Sequence, residues 1–138
     1  KVYAGWAYSQ KFYRDGLYRE LGFESVAELL AFWVQDHLCQ DANDLLLQLR
    51  TWQSGNIFKA DLARGKPVPH VSCPAILMPS SSDLYFTADD AIEDARSLGA
   101  DCQILESHFG HIAGGPGRLP AETGSIFRAV ASLLAKTR

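Results

Sequence analysis

The feature that most constrains this chain is a change of hydrophobic period near its middle. Up to about Trp52 the bulky apolar residues recur every three or four positions. From Cys73 to Pro79 they form a short continuous run between turn signals, the pattern of a strand buried on both faces. Thr87 is placed to cap a helix running to Leu98, with Asp90 at the third helical position and Gly99 just past the end. Cys102–Glu106 reads as a second, weaker strand. A glycine-rich loop from Gly110 to Gly117 leads into an amphipathic helix from about Glu122 to Lys136. Strand, crossover helix and strand in that order make a βαβ unit, so the two strands are expected to be parallel with a right-handed crossover. Two parallel strands leave open edges and uncovered faces. Further strands are therefore expected, from residues preceding this sequence or from another chain.

The first half predicts helices. Trp6, Phe12, Tyr13, Leu17, Tyr18 and Leu21 share helical spacing, with Gly22 as the stop. Ser25 followed by Glu28 resembles a capping box opening a helix to Leu38. Asp41 and Asp44 repeat the arrangement for Ala42 to Trp52, with Leu45, Leu46, Leu49 and Trp52 on one side. Ser54-Gly55-Asn56 ends that helix. Aromatic-rich stripes of this kind predict core packing, although a helical cap over an active site carries the same pattern. Asp61–Ser72, with Gly65, Pro67 and Pro69, reads as a loop.

Composition narrows the function classes. A net charge of -3 with interspersed signs provides no basic stripe for nucleic acid. No apolar run approaches the roughly 18–20 residues of a membrane helix, and Lys1 leads into no signal-peptide core. Three cysteines, none in Cys-x-x-Cys, argue against a disulfide framework or a zinc site and predict buried thiols in a reducing, cytoplasmic setting. The sole methionine is Met78, so Lys1 is expected to lie within a longer or processed protein.

Open α/β sheets place their chemistry in the loops at the carboxyl ends of the strands. Asp83 follows the first strand and His111 the second. Parallel neighbours would bring both loops to one edge, where a carboxylate can accept the Nδ1 hydrogen of an imidazole and leave Nε2 as a general base. An aspartate loop followed by a histidine loop is also the tail of the order Ser…Asp…His. The alternatives remain open here: an aspartate in a serine-rich loop also serves as a turn residue, and Gly-His also occurs as a surface histidine. Tyr85 and Phe86 could line an acyl pocket or anchor the loop. Trp6, Ser9 and Trp52 are candidate substrate contacts, with core packing expected of both tryptophans. His37 and His70 suit solvated or capping roles. His108 beside His111 lacks a second carboxylate, so no metal site is expected.

The stretches Gly5-Trp6-Ala7-Tyr8-Ser9-Gln10, Asp41-Ala42-Asn43-Asp44-Leu45-Leu46, Ser82-Asp83-Leu84-Tyr85-Phe86 and Gly110-His111 resemble, in the same order, the homoserine O-acetyltransferase family. The resemblance covers nearly the whole chain. It implies the C-terminal portion of an α/β-hydrolase fold, with a helical cap over residues 1–60 and the last two strand–helix units of the core over 61–138. It also implies that Asp83 is the triad acid and His111 the triad base of an acyl-transfer enzyme. No bound cofactor is implied, acetyl-CoA being the acyl donor of a transferase and an ester the substrate of a hydrolase.

Two departures shape that expectation. The acetyltransferases commonly follow Gly-His with Asp-Ala-Phe, whereas this chain continues Ile112-Ala113-Gly114-Gly115, closer to the hydrolase-like relatives. No serine stands in Gly-x-Ser-x-Gly, so the nucleophile and its oxyanion hole are missing from this sequence. The chain alone is therefore expected to be inactive until joined by the N-terminal part of the same protein or a companion chain. The rival expectation is a non-catalytic interaction module associating through its cap helices, homo-oligomers included.

Overall fold

The computed structural model of the chain describes residues 2–56, 59, 65, 71–115 and 119–136. The 60/61 boundary, His70, the 116–118 end of the glycine-rich loop, and most of the 61–72 loop lie outside the described residues. Helices α1 (Val2–Ala7) and α2 (Gln10–Arg14), a 3-10 turn (Leu17–Leu21), α3 (Val26–Leu38) and α4 (Ala42–Ser54) come first. Strand β1 (Ile76–Leu77), α5 (Ala88–Leu98), β2 (Asp101–Cys102), a second 3-10 turn (Gly110–Ile112) and α6 (Pro120–Ala135) follow.

Capping explains most boundaries. Ser25 accepts from the Glu28 N–H, while the Glu28 carboxylate reaches back to the Glu24 N–H at 2.7 Å, one residue beyond the usual capping-box partner. Asp41 caps α4 through the Asn43 N–H. Thr87 accepts from the Asp90 N–H and donates to its carboxylate, and Gly99 closes α5 in the left-handed region at φ 68°.

The expected continuous helix from Trp6 to Leu21 is instead three short pieces. Ser9 adopts extended geometry and caps α2 by accepting from Phe12 N–H at 3.0 Å, and Gly16 at φ 69° turns the chain into the 3-10 segment. Periodicity could not reveal these breaks, because successive short helices can keep their apolar residues on one side. The Tyr13 hydroxyl bridges the first break, donating to the Ala4 carbonyl at 2.6 Å.

The buried core is Ala7, Tyr8, Phe12, Tyr18, Leu29 and Phe109. Tyr8 stacks on Phe12 with centroids 4.0 Å apart, and Phe109 meets Phe12 edge-on at 5.4 Å. Phe109 precedes His111 by two residues, so the helical half of the chain grips the histidine loop directly.

The strands are parallel, pairing Ile76 with Asp101 and Leu77 with Cys102. Hydrogen bonds continue beyond them: Leu105 N–H to Pro79 O at 2.8 Å and Ser81 N–H to Leu105 O at 3.0 Å. Helix α5 packs on both strands. The expectation of a first strand buried on both faces is corrected: β1 is half-buried and β2 exposed, because the described residues supply no neighbouring strand. Cys39, Cys73 and Cys102 are likewise exposed rather than buried. The apolar stripe of α4 is also uncovered, no residue of that helix being buried. No described helix is long and apolar enough to cross a membrane.

Candidate active site

The parallel pairing carries the two loops to one edge, and serines stitch them together. Ser81 Oγ donates to the Ser107 carbonyl at 3.2 Å and accepts from its N–H at 3.1 Å. Ser82 Oγ accepts from Gly110 N–H at 3.1 Å. Sequence reading gave the serine run no role beyond a setting for Asp83 and missed these cross-loop bonds. Their signal was present: three consecutive hydroxyls after a strand can serve a neighbouring loop as well as their own turn.

Asp83 sits at the centre of the acid loop, its side chain only 8% exposed. Oδ1 accepts from the N–H groups of Tyr85 at 2.8 Å and Phe86 at 3.2 Å, fixing the carboxylate plane. Oδ2 lies 3.0 Å from His111 Nδ1. A carboxylate can only accept, so Nδ1 carries the hydrogen and the neutral ring keeps Nε2 as its acceptor. Gly110 makes this approach possible. At φ 65° its position favours glycine, and an added Cβ would stand 2.6 Å from Ala7 O and 3.0 Å from Ser9 N.

Tyr85 and Phe86 flank the imidazole, with centroids 5.0 and 5.4 Å from the His111 ring. Burial raises the Tyr85 phenol above its ordinary pKa, with Tyr3 and Asp83 adding in the same direction. Tyr3 lies 5.4 Å and Trp6 6.4 Å from Tyr85, so α1 also reaches the site through this ring. Trp6 is more than half exposed, and Trp52 is exposed too, not packed in the core. Ser9, the other candidate contact, is buried; its hydroxyl caps α2 and donates to the His108 carbonyl. Sequence reading also missed Tyr3 and Ser107, whose contacts are distant in the chain.

Two clefts flank the histidine loop. One, of about 410 Å³, is lined by Met78, Ser80, Asp83, Phe86, His111 and Ile126. The other, of about 590 Å³, lies between α1, α3 and α4 and includes Trp33, Leu45, Leu49, Trp52 and Ile112. Leu45, Leu49 and Trp52 of the exposed α4 stripe thus line a cleft and are not packed in the core. Among the described residues no group of three or more His, Cys, Asp or Glu side chains could hold a metal ion.

A carboxylate-oriented histidine at the carboxyl end of parallel strands has the geometry to take up a proton at Nε2. No protein-family model matches the chain. It is 30% identical over 113 residues to an ethyl acetate hydrolase of Pseudomonas veronii, an alignment covering 78% of this chain and 31% of that protein. It superposes on the acetyl esterase MekB with a TM-score of 0.79 at 27% identity, over 94% of this chain and 38% of that one. An acetylester hydrolase from Corynebacterium glutamicum shares the fold, with a TM-score of 0.81 at 24% identity over 96% of this chain and 38% of that one. The chain therefore spans about a third of the length of the curated relatives it matches. Its fold is hydrolase-like and these relatives are ester hydrolases, which does not show the homoserine O-acetyltransferase family specifically.

Proposed function

We propose that this chain is the C-terminal, acid- and base-bearing portion of a serine-dependent ester hydrolase acting on small acetate esters. The observation that carries the reading is the 3.0 Å contact between Asp83 Oδ2 and His111 Nδ1, with Oδ1 already occupied by two backbone N–H groups. Relatives that hydrolyse acetate esters support the substrate class.

In this mechanism a serine from outside the present sequence attacks the ester carbonyl while His111 Nε2 takes its proton. The imidazolium, steadied by Asp83, then protonates the departing alcohol. Water repeats the cycle to release acetate and free the serine. Tyr85 and Phe86, in ring contact with the imidazole, contribute an apolar wall beside it. A reducing cytoplasm is the proposed setting, on three cysteines of which no two stand in Cys-x-x-Cys. Transfer from acetyl-CoA to an alcohol uses the same residues, and the hydrolase names of the relatives favour water instead.

Native mass spectrometry of the purified material is the first test. A companion bearing Gly-x-Ser-x-Gly, whose complex hydrolyses nitrophenyl acetate and loses that activity on His111→Ala at near-parent stability, is the expected result. Turnover by the pure 138-residue chain would sink the requirement for an outside nucleophile. The exposed α4 stripe favours one other reading, an interaction module; there His111→Ala leaves partner binding intact and no esterase activity is found.

A further inference from the structure

We propose that Glu122 is a positioning residue for His111, its carboxylate tying together the two ends of the histidine loop and so holding the imidazole against Asp83. The inference rests on the acid–base reading of that pair. Glu122 is the third residue of α6, where a glutamate ordinarily turns back to bond the N-cap. The N-cap here is Leu119, which makes no side-chain cap bond, and the Glu122 carboxylate is turned inward and buried, only 6% exposed.

A buried carboxylate is costly unless its oxygens are filled by donors, and both oxygens are. Oε1 accepts from the Ser107 hydroxyl, and Oε2 accepts from the Gly114 N–H at 2.8 Å. These partners bracket His111, four residues before it and three after. Ser107 extends the connection, because its hydroxyl accepts from Phe109 N–H at 3.0 Å and its backbone is clasped by Ser81, two residues before Asp83. One carboxylate therefore closes the loop carrying the base and, through Ser107, joins it to the loop carrying the acid. Helix α6 itself does not need this arrangement: a solvent-facing glutamate at the same position would serve its first turn equally well.

Glu122 touches neither Asp83 nor the imidazole, so its effect must be read on His111 and not on turnover alone. Proton NMR of the full chain offers that reading, since a hydrogen on Nδ1 bonded to a carboxylate resonates far downfield and is protected from exchange. The expected result is a resonance present in the parent, lost in Asp83→Asn and broadened beyond detection in Glu122→Ala. It should return in Glu122→Gln, whose amide offers an acceptor to Gly114 and a donor to the Ser107 oxygen. A resonance as sharp in Glu122→Ala as in the parent, with the parent's circular dichroism spectrum, overturns the proposal and leaves the Asp83–His111 pair standing. Absence of the resonance from the parent overturns the pair and this proposal together. If Glu122→Ala does not fold, Ser107→Ala decides: a broadened resonance supports the tie, and an unchanged one overturns it.

Discussion

Asp83 illustrates how much a single side chain can be asked to do. One oxygen holds its own loop by accepting from Tyr85 and Phe86, and the other is left for His111. This division predicts the behaviour of Asp83→Asn. The two backbone donors will keep the amide oxygen on their side, turning the NH2 toward Nδ1. Nδ1 must then accept, Nε2 carries the hydrogen, and the base is in the wrong tautomer. In the assembled esterase kcat/KM on nitrophenyl acetate should fall by about 10⁴-fold, with the melting temperature little changed; a loss under about tenfold would refute the role. Gly110 is constrained as tightly by space. Gly110→Ala adds a left-handed non-glycine residue and a methyl against Ala7 O, and should cost about 2–4 kcal/mol, read by urea denaturation.

At the scale of elements, the short helices at the start are held by tertiary bonds more than by their own length. Six and five residues are too few to be stable as isolated helices. The Tyr13 hydroxyl, joining α2 to the Ala4 carbonyl of α1, has its pKa pushed up from 10.0 to about 12, by burial first and by Tyr8 second. A pKa raised in the folded state means that the native chain binds the proton more tightly than the unfolded one. The associated stability is fully present below pH 10.0 and is lost as the pH rises through about 12. Denaturation between those values should therefore steepen with pH. Tyr13→Phe, less stable at neutral pH for want of the hydrogen bond, should show a flatter decline; an unchanged slope would dismiss the residue as the source.

For the whole molecule, the distribution of burial is uneven. The helical half and the histidine loop share a packed core, whereas among the described residues the sheet has open edges and α6 presents Phe127 and Val130 outward. A contiguous exposed apolar patch ordinarily marks a contact surface. Under the proposed function, the segment carrying the nucleophile covers it. Binding such a segment should then raise the melting temperature by mass action and confer esterase activity in the same titration. Activity without stabilisation, or stabilisation without activity, would separate the surface from the site.

The amino-acid sequence by itself determined the helix starts at Ser25, Asp41 and Thr87, the turn at Gly99, the parallel strand–helix–strand order and the arrival of Asp83 and His111 at one edge. These features rest on caps, glycines and chain direction, which act within a few residues or follow from the order of elements. The tertiary structure alone decided that the α4 stripe lines a cleft and that the three thiols face solvent. It alone joined Ser81 to Ser107, and Ser107 to Glu122. Each of those outcomes depends on which surfaces meet across long stretches of chain. Periodicity marks a face as apolar or a serine as a donor, but the partner is chosen by packing.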